Sequence, residues 1–458
     1  MRRTKTPMMK LLCAHWVIPI ISSPIERGAV AVEGPRIVGV GEREEFAARF
    51  PEAEVRDFGE AAILPGFVNT HSHLELTAMR GYLEREEGDF FAWLKKLTIA
   101  RLEKMTADDL YVSAAWGAVE AARAGVTCLA DASDAASSSM RGLRDVGLRG
   151  VVYQEAFGPN PADARENFEK LREKVAGLRD YETDLVRAGV SPHAPYTVSA
   201  PQLELITEFA VTQKLPLMMH AAESEAEELF MLEGRGPFAE GLARRGIEWR
   251  APGISTVQYL ARHGVLRSRP LLAHCIRVDE ADRETIKAAG ASVAHCPKSN
   301  AKLGHGRAPF DAFIKSGVEI GFGSDSVASN NMCDMLEEAR FAILTARAGL
   351  GAGASAQALD ASLALQTATL GGARCLGLET QTGALVEGAQ ADMAVVRLDA
   401  AHQTPLYDPQ AALVFASSAR DVLMTMVAGR EVFSEGRVRT VDEEGLSVRL
   451  KEIRDKLS

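Results

Sequence analysis

The sequence predicts an α/β protein: a (β/α)8 TIM-type barrel over residues 65–381, with a small β-sandwich domain built from both chain ends, 1–64 and 382–458. Three observations lead there. Between Thr70 and about Leu370, eight short apolar, β-leaning segments alternate with longer amphipathic ones. Such alternation makes a parallel sheet, and a count of eight favours closure into a barrel. The two chain ends instead read as short strands separated by turn signals. Finally, the residues able to carry chemistry fall at the C-terminal ends of the core strands, where barrels of this kind gather their loops.

In chain order the core strands are expected at "GFVNTHS", "GVTCLADAS", "GVVYQEAFG", "VRAGVSPH", "LPLMMHAAE", "PLLAHCIRV", "ASVAHCPKSN" and "EIGFGSDSVAS". Helices are expected at "ADDLYVSAAWGAVEAARAG", "ARENFEKLREKVAGLRDYE" and "SAPQLELITEFAVTQK". Thr106 and Ser199 are positioned as N-caps, the second with Pro201 in the first turn. Toward the ends, "GAVAVEGPRIVGVGE", "GALVEGAQADMAVVRL" and "VLMTMVAGREVFSEGRV" read as strands, the last as a hairpin. No internal repeat or low-complexity tract interrupts the pattern.

At 458 residues the chain can bury a large core, and 47% apolar with 25% charged residues is ordinary for a soluble globular protein. A formal charge of −10 argues against non-specific binding to nucleic acid. The six cysteines are scattered with no CxxC pair, which fits a reducing cytoplasm better than a disulfide framework. The start, "MRRTKTPMMKLLCAHWVIPII", has basic residues before an apolar run, but His15, Trp16 and Pro19 interrupt it and no small-residue cleavage site follows. It reads as a basic tail leading into a strand. No apolar run approaches the roughly 20 residues that span a membrane. The expected partner is a small-molecule substrate, with neither nucleic acid nor membrane.

The stretch "LPGFVNTHSHLEL" puts His71 and His73 on one face of a strand, because alternate strand residues share a face. Two buried imidazoles side by side are costly unless a metal or hydrogen bonds satisfy them. His193, His220 with Glu223 just beyond, His274 and Asp325 fall at the ends of later core strands. His193 or His295 alone would read as a satisfied core residue. Several histidines and an aspartate at one end of a β/α core instead make a set suited to Zn²⁺ or another first-row ion, with a position left for water.

Together, "PGFVNTHSH", "MHAAESEAE", "LLAHC", "VAHCPKSN", "KLGHGRAP" and "GFGSDS" resemble the amidohydrolase superfamily, and within it the cytosine-deaminase/chlorohydrolase-like branch. The resemblance implies one divalent metal held by His71, His73, His220 and Asp325. Zn²⁺ is the expected ion, and Fe²⁺ suits the same donors. Binuclear relatives carry a bridging lysine on the fourth strand, whereas here "VRAGVSPHAP" offers His193. The HxE…PCxxC signature of the unrelated cytidine-deaminase fold is absent. By the same resemblance Asp325 contacts the metal and accepts the water's proton, His274 holds and polarises the attacking group, and Glu223 shuttles a proton to the ring and the leaving amine. Glu225, Glu227 and Glu228 read as a solvated acidic run. Cys296, Pro297, Ser299 and Asn300 are expected to shape the pocket, and Trp93 and Tyr196 read either as core packing or as the border of a flat ring.

More narrowly, "HSHLEL", "FFAWLKKLTIAR", "YQEAFGP" and "SPHAPYTVS" look most like aminodeoxyfutalosine deaminases of the futalosine route to menaquinone. That likeness implies Glu75, Glu155 and His193 as substrate contacts; Glu75 and Glu155 read equally well as partners of the histidines. Arg80 or Arg101 would meet a benzoate, or else be surface charges. The alternative in the same branch is a methylthioadenosine/S-adenosylhomocysteine-type or guanine deaminase, although "LTIARLEKM" lacks the Trp-Pro-X-Glu element of the former. A triazine amino- or chlorohydrolase needs the same metal site. A non-catalytic scaffold on this fold would be expected to have lost ligands, and every ligand position here is filled. Homodimers are common among such proteins.

Overall fold

The computed structural model describes residues 9–350 and 359–458. The basic tail expected at the N-terminus lies mostly outside the described residues, but the strand it leads into is present as Lys10–Val17.

Each of the eight expected core strands forms. Phe67–Ser72, Val126–Ser133, Arg149–Ala156 and Val186–Pro192 make one four-stranded parallel sheet in chain order. Met218–Ala221, Leu271–His274, Ser292–His295 and Glu319–Phe322 make a second. Every residue of Val126–Ser133 and Arg149–Ala156 is buried, which is why these stretches read as continuous apolar runs rather than as alternating ones. The two sheets touch at both margins. A parallel bridge joins Val190 to Leu217, and Asp325 N donates to His71 O at 2.8 Å.

The intervening helices cover the sheets. Ala107–Arg123 starts with a complete capping box, in which Thr106 accepts from Asp109 N while the Asp109 carboxylate accepts from Thr106 N. Ser199 stands at the N-cap of Ala200–Gln213, but its hydroxyl makes no capping bond. There the Pro201 ring in the first turn, with its preset φ, starts the helix without help from the side chain.

The chain ends form one nine-stranded mixed sheet where the sequence suggests a sandwich. It joins Lys10–Val17, Ile25–Glu33, Arg36–Glu42, Glu54–Asp57 and Ala61–Pro65 to Met393–Arg397, Val422–Val427, Arg430–Ser434 and Arg437–Val438. The strand Ala61–Pro65 pairs with both Lys10–Val17 and Met393–Arg397, so both ends of the chain hydrogen-bond into one surface. The expected hairpin is Val422–Val427 with Arg430–Ser434, turned by Ala428 and Gly429 at φ 46° and 76°. A buried ion pair fixes this sheet to the core, Arg149 Nε to Asp392 Oδ2 at 2.7 Å. The last helix, Glu443–Leu457, leaves the mixed sheet and packs on Ala107–Arg123, with Lys456 paired to Asp109 at 2.9 Å. Among the described residues no helix is long and apolar enough to cross a membrane.

Candidate active site

The site is assembled at strand ends that leave ordinary strand geometry. Ala222, His274, Cys275 and Asp325 all take positive φ, from 47° to 72°, although none is glycine. Each such residue costs of order 1–3 kcal/mol, and such backbones cluster at functional sites because the turn re-aims a side chain. Here the turns follow Met218–Ala221, Leu271–His274 and Glu319–Phe322 and bring His274, Glu223 and Asp325 back over the sheets.

The ligand-bearing atoms of His71, His73 and His220 lie within 4.8 Å of one another, as do those of His71, His274 and Asp325. His73 Nε2 is 3.3 Å from His220 Nε2, and Asp325 Oδ1 is 3.4 Å from His71 Nε2 and 3.5 Å from His73 Nε2. His220 Nδ1 faces His193 O at 3.0 Å, so the proton sits on Nδ1 and Nε2 presents a lone pair. The buried Nε2 atoms of His71 and His274 have no hydrogen-bond partner. Lone pairs converging on one point without donors to meet them fit a divalent cation. Burial strengthens the donor set: it pushes His73 and His193 down to about 3, which keeps both imidazoles neutral. Burial opposes ionisation of Asp325, yet His71, His274 and His73 together hold its carboxyl well below the usual range.

Glu223 Oε1 stands 3.6 Å from His274 Nε2 and 3.7 Å from His305 Nε2. Burial raises the Glu223 carboxyl to about 7, against the pull of His274. The structure corrects the reading of Glu227 as a solvated charge. It is fully buried, and its carboxylate accepts from Ala222 N and Glu223 N at 2.9 Å each and from Thr256 Oγ1 at 2.7 Å. Burial of the helix start brings Glu227 back onto the turn, where it fixes the backbone that carries Glu223.

A cavity of about 480 Å³ opens over this cluster. Glu75, Trp93, Glu155 and His193, all expected at the substrate, line it together with His73, His220, Glu223, His274 and Asp325. Tyr196 lines it too, stacked on Phe238 at 3.8 Å between ring centroids. Glu75 is tied up structurally: it accepts from Ser133 Oγ at 2.6 Å, from Ala135 N at 2.7 Å and from Arg101 at 3.1 Å. Arg101 reaches the cavity, whereas Arg80 does not and pairs with Glu120 instead. Cys296 is buried and its thiol is pushed up, as a non-nucleophilic residue requires.

Sequence reading missed Met218 and Ser329, and gave Ser299 and Asn300 only a general part in shaping the pocket. Met218 Sδ lies 3.2 Å from His71 Nδ1. Asn300 Oδ1 faces His274 Nδ1 at 2.8 Å, which leaves Nε2 free toward Glu223. Ser299 and Ser329 both donate to Asp325 Oδ2. Met218 precedes the expected ligand His220 by two residues and so shares its face of the strand, which is the signal that could have marked it. Nothing in the sequence pairs Ser329 with Asp325 except proximity along the chain.

Strands carrying imidazoles and one aspartate to a buried, donor-poor point beside an acid with a raised pKa define a metal-dependent hydrolase. The chain belongs to the amidohydrolase family, whose profile matches residues 62–432; a second match, to an imidazolonepropionase-like composite domain of bacteria, covers residues 28–53. It is 32% identical to a 5-methylthioadenosine/S-adenosylhomocysteine deaminase of Symbiobacterium thermophilum, over 93% of each chain. An adenosine deaminase from Xanthomonas campestris, solved with bound zinc, superposes with a TM-score of 0.86 at 28% identity over 99% of each chain. The aminofutalosine deaminase of Helicobacter pylori, in complex with methylthio-coformycin, superposes at 0.78 with 20% identity, over 93% of this chain and 100% of its own. That last likeness shows the fold alone. The expectation of greatest similarity to aminodeoxyfutalosine deaminases is corrected accordingly: the full-length similarity at 32% identity is to proteins named 5-methylthioadenosine/S-adenosylhomocysteine deaminases.

Proposed function

We propose that this chain is a metal-dependent hydrolytic deaminase that removes the 6-amino group of an adenosine-type substrate, with Zn²⁺ as its ion. The observation that carries the reading is the position of Glu223, an acid raised to about 7 and 3.6 Å from His274, at the edge of a three-histidine, one-aspartate cluster at the base of the cavity. His71, His73, His220 and Asp325 would hold the ion, and a divalent ion there supplies Lewis acidity that brings water's pKa toward about 7. Asp325, ionised and fixed by two serine hydroxyls, accepts the water's proton. His274, oriented by Asn300, positions the attacking oxygen with Nε2. Glu223 hands its proton to the ring nitrogen, then takes up the proton that Asp325 removed from the water and passes it to the leaving amine. As the carbon–nitrogen bond breaks and the new hydroxyl becomes a carbonyl, the hydroxyl proton restores the acid. Such a positioned acid contributes roughly 10²–10⁴-fold. Trp93 lies along the cavity beside the ring, and His193 and Glu155 contact the substrate beyond it.

The relatives support a 5′-substituted adenosine of the methylthioadenosine/S-adenosylhomocysteine kind above aminodeoxyfutalosine. The same reading takes residues 65–381 as a closed barrel and 1–64 with 382–458 as its supporting domain, on the strength of the bonds at both margins of the parallel sheets. Ammonia release by the zinc-loaded protein is the test, with Glu223→Gln as the blank and adenosine, methylthioadenosine, S-adenosylhomocysteine, aminodeoxyfutalosine and guanine as the panel. Release from adenine nucleosides supports the reading. Release from guanine alone, or from none of them, would refute it.

A further inference from the structure

We propose that Arg101, Asp134 and Glu155 form a sugar-binding wall in the active-site cavity, which selects substrates by the vicinal hydroxyls of a ribose. The inference rests on the nucleoside deaminase reading and names the part of the substrate that reading leaves open. All three residues line the cavity that contains the metal cluster.

The wall is rigid. Arg101, on the helix Phe90–Lys104, has a side chain only 11% exposed and uses Nη1 for both of its ion pairs, to Glu75 Oε1 at 3.1 Å and Asp134 Oδ2 at 2.9 Å. Glu75 is held in turn by Ser133 and Ala135, and Asp134 by Lys174 at 2.8 Å. Among the described residues nothing accepts from Arg101 Nη2 or Nε. Glu155 is 6% exposed, and its Oε1 has no hydrogen-bond partner. Its carboxylate lies within 4.8 Å of the ring nitrogens of His193 and His220, so the wall begins next to the metal cluster.

An orphaned buried oxygen is expensive, and a substrate group that satisfies it gains the difference. The charge count decides which group. Glu75 and Asp134 already match Arg101 and Lys174, and burial holds the Glu155 carboxyl well above its usual range, so these residues carry no surplus positive charge to attract a carboxylate or phosphate; Arg245, which also lines the cavity, is not part of the wall. A hydroxyl both donates and accepts, and two neighbouring hydroxyls can donate to Glu155 while accepting from the spare N–H groups of Arg101. A ribose 2′,3′-diol supplies that pair. The benzoate-binding role suggested for Arg101 by sequence gives way here, because two carboxylates already neutralise it.

The experiment compares adenosine with 2′,3′-dideoxyadenosine in the zinc-loaded protein, by turnover and by calorimetric binding to Glu223→Gln. The wild type should favour adenosine by at least about tenfold in kcat/KM, since sites built around a substrate hydroxyl reject the analogue lacking it. Glu155→Leu should erase that preference by lowering kcat/KM for adenosine, through KM, about tenfold more than for the dideoxy compound, and Glu155→Gln should restore most of it. A merely structural role for Glu155 would lower both substrates together. Equal kcat/KM for the two nucleosides in the wild type, or equal loss in Glu155→Leu, overturns the wall and leaves the deaminase reading standing. Tighter binding of adenosine without turnover supports the wall and refutes the deaminase. Failure to bind or turn over either refutes both.

Discussion

The Ser299 hydroxyl donates to Asp325 Oδ2 at 2.5 Å, and the Ser329 hydroxyl reaches the same oxygen at 3.0 Å. Oδ1, which accepts from Ser326 N at 2.7 Å, is thereby left turned toward His71 and His73. The two serines divide the carboxylate between a fixed end and a working end. Groups that orient a metal-binding side chain in this way typically change metal affinity by about 10–100-fold when removed. Ser299→Ala should therefore bind zinc about tenfold more weakly, while Ser329 still holds Oδ2 and the metal-free protein keeps its melting temperature. A chelator competition titration beside thermal unfolding reads both.

His71 is fully buried, with Nε2 toward Asp325 and no donor to meet it. His71→Ala should lose metal and activity together, to background in both. Metal content by elemental analysis, measured alongside turnover, checks this; an inactive variant retaining one equivalent of zinc would remove His71 from the ligand set.

Glu223→Gln should bind metal normally and lose roughly 10²–10⁴-fold in kcat. The wild-type pH profile gives the sign. Burial raises the Glu223 carboxyl to about 7, and only its protonated form can donate to the ring. Below about 7 the acid is present; as pH rises through that value it ionises and kcat/KM falls. The descending limb should disappear from the residual activity of Glu223→Gln. A limb that persists in the variant would assign it to another group.

Arg149 and Asp392 are 3% and 0% exposed and join the strand Arg149–Ala156 to the mixed sheet. Asp392 also accepts from Ala428 N at 2.7 Å, at the hairpin turn. Removing one partner leaves an uncompensated buried charge, so Asp392→Ala should cost about 3–5 kcal/mol. Denaturant unfolding measures the loss.

Removal of the ion should act on stability as well as on rate. A ligand that binds only the native state at 100 times its dissociation constant stabilises by about 2.7 kcal/mol. Dialysis against a chelator should lower the melting temperature and abolish turnover, and added Zn²⁺ should restore both. A chelated protein with an unchanged melting temperature would contradict a metal bound at so buried a cluster.

The core strands were legible because their local chemistry is one-sided: a run such as Val126–Ser133 is buried on both faces and shows it in composition. The clustering of the candidate ligands was legible because histidine is rare and its placement at strand ends has few structural explanations. Glu227 shows where such reading fails. In sequence it sits in "ESEAEE" among exposed charges, and only the packing of its helix onto the strand-end turn buries it and gives it Ala222 and Glu223 to hold. Arg101 fails in the opposite direction. In sequence it reads as a benzoate contact or a surface charge, and the fold largely buries it between Glu75 and Asp134, from segments 26 and 33 residues away in sequence.

By itself the sequence determined the alternation of strand and helix, the position of each candidate ligand along the chain, and the acid that follows His220. These depend on residue type and short-range period, which the chain carries locally. Tertiary structure decided which of two oxygens of Asp325 faces the histidines, which nitrogen of His274 is free, and whether a charged residue is solvated or buried. Those depend on partners such as Ser299, Asn300 and Glu75, brought in from distant segments, and on a burial that sets both hydrogen bonding and proton affinity.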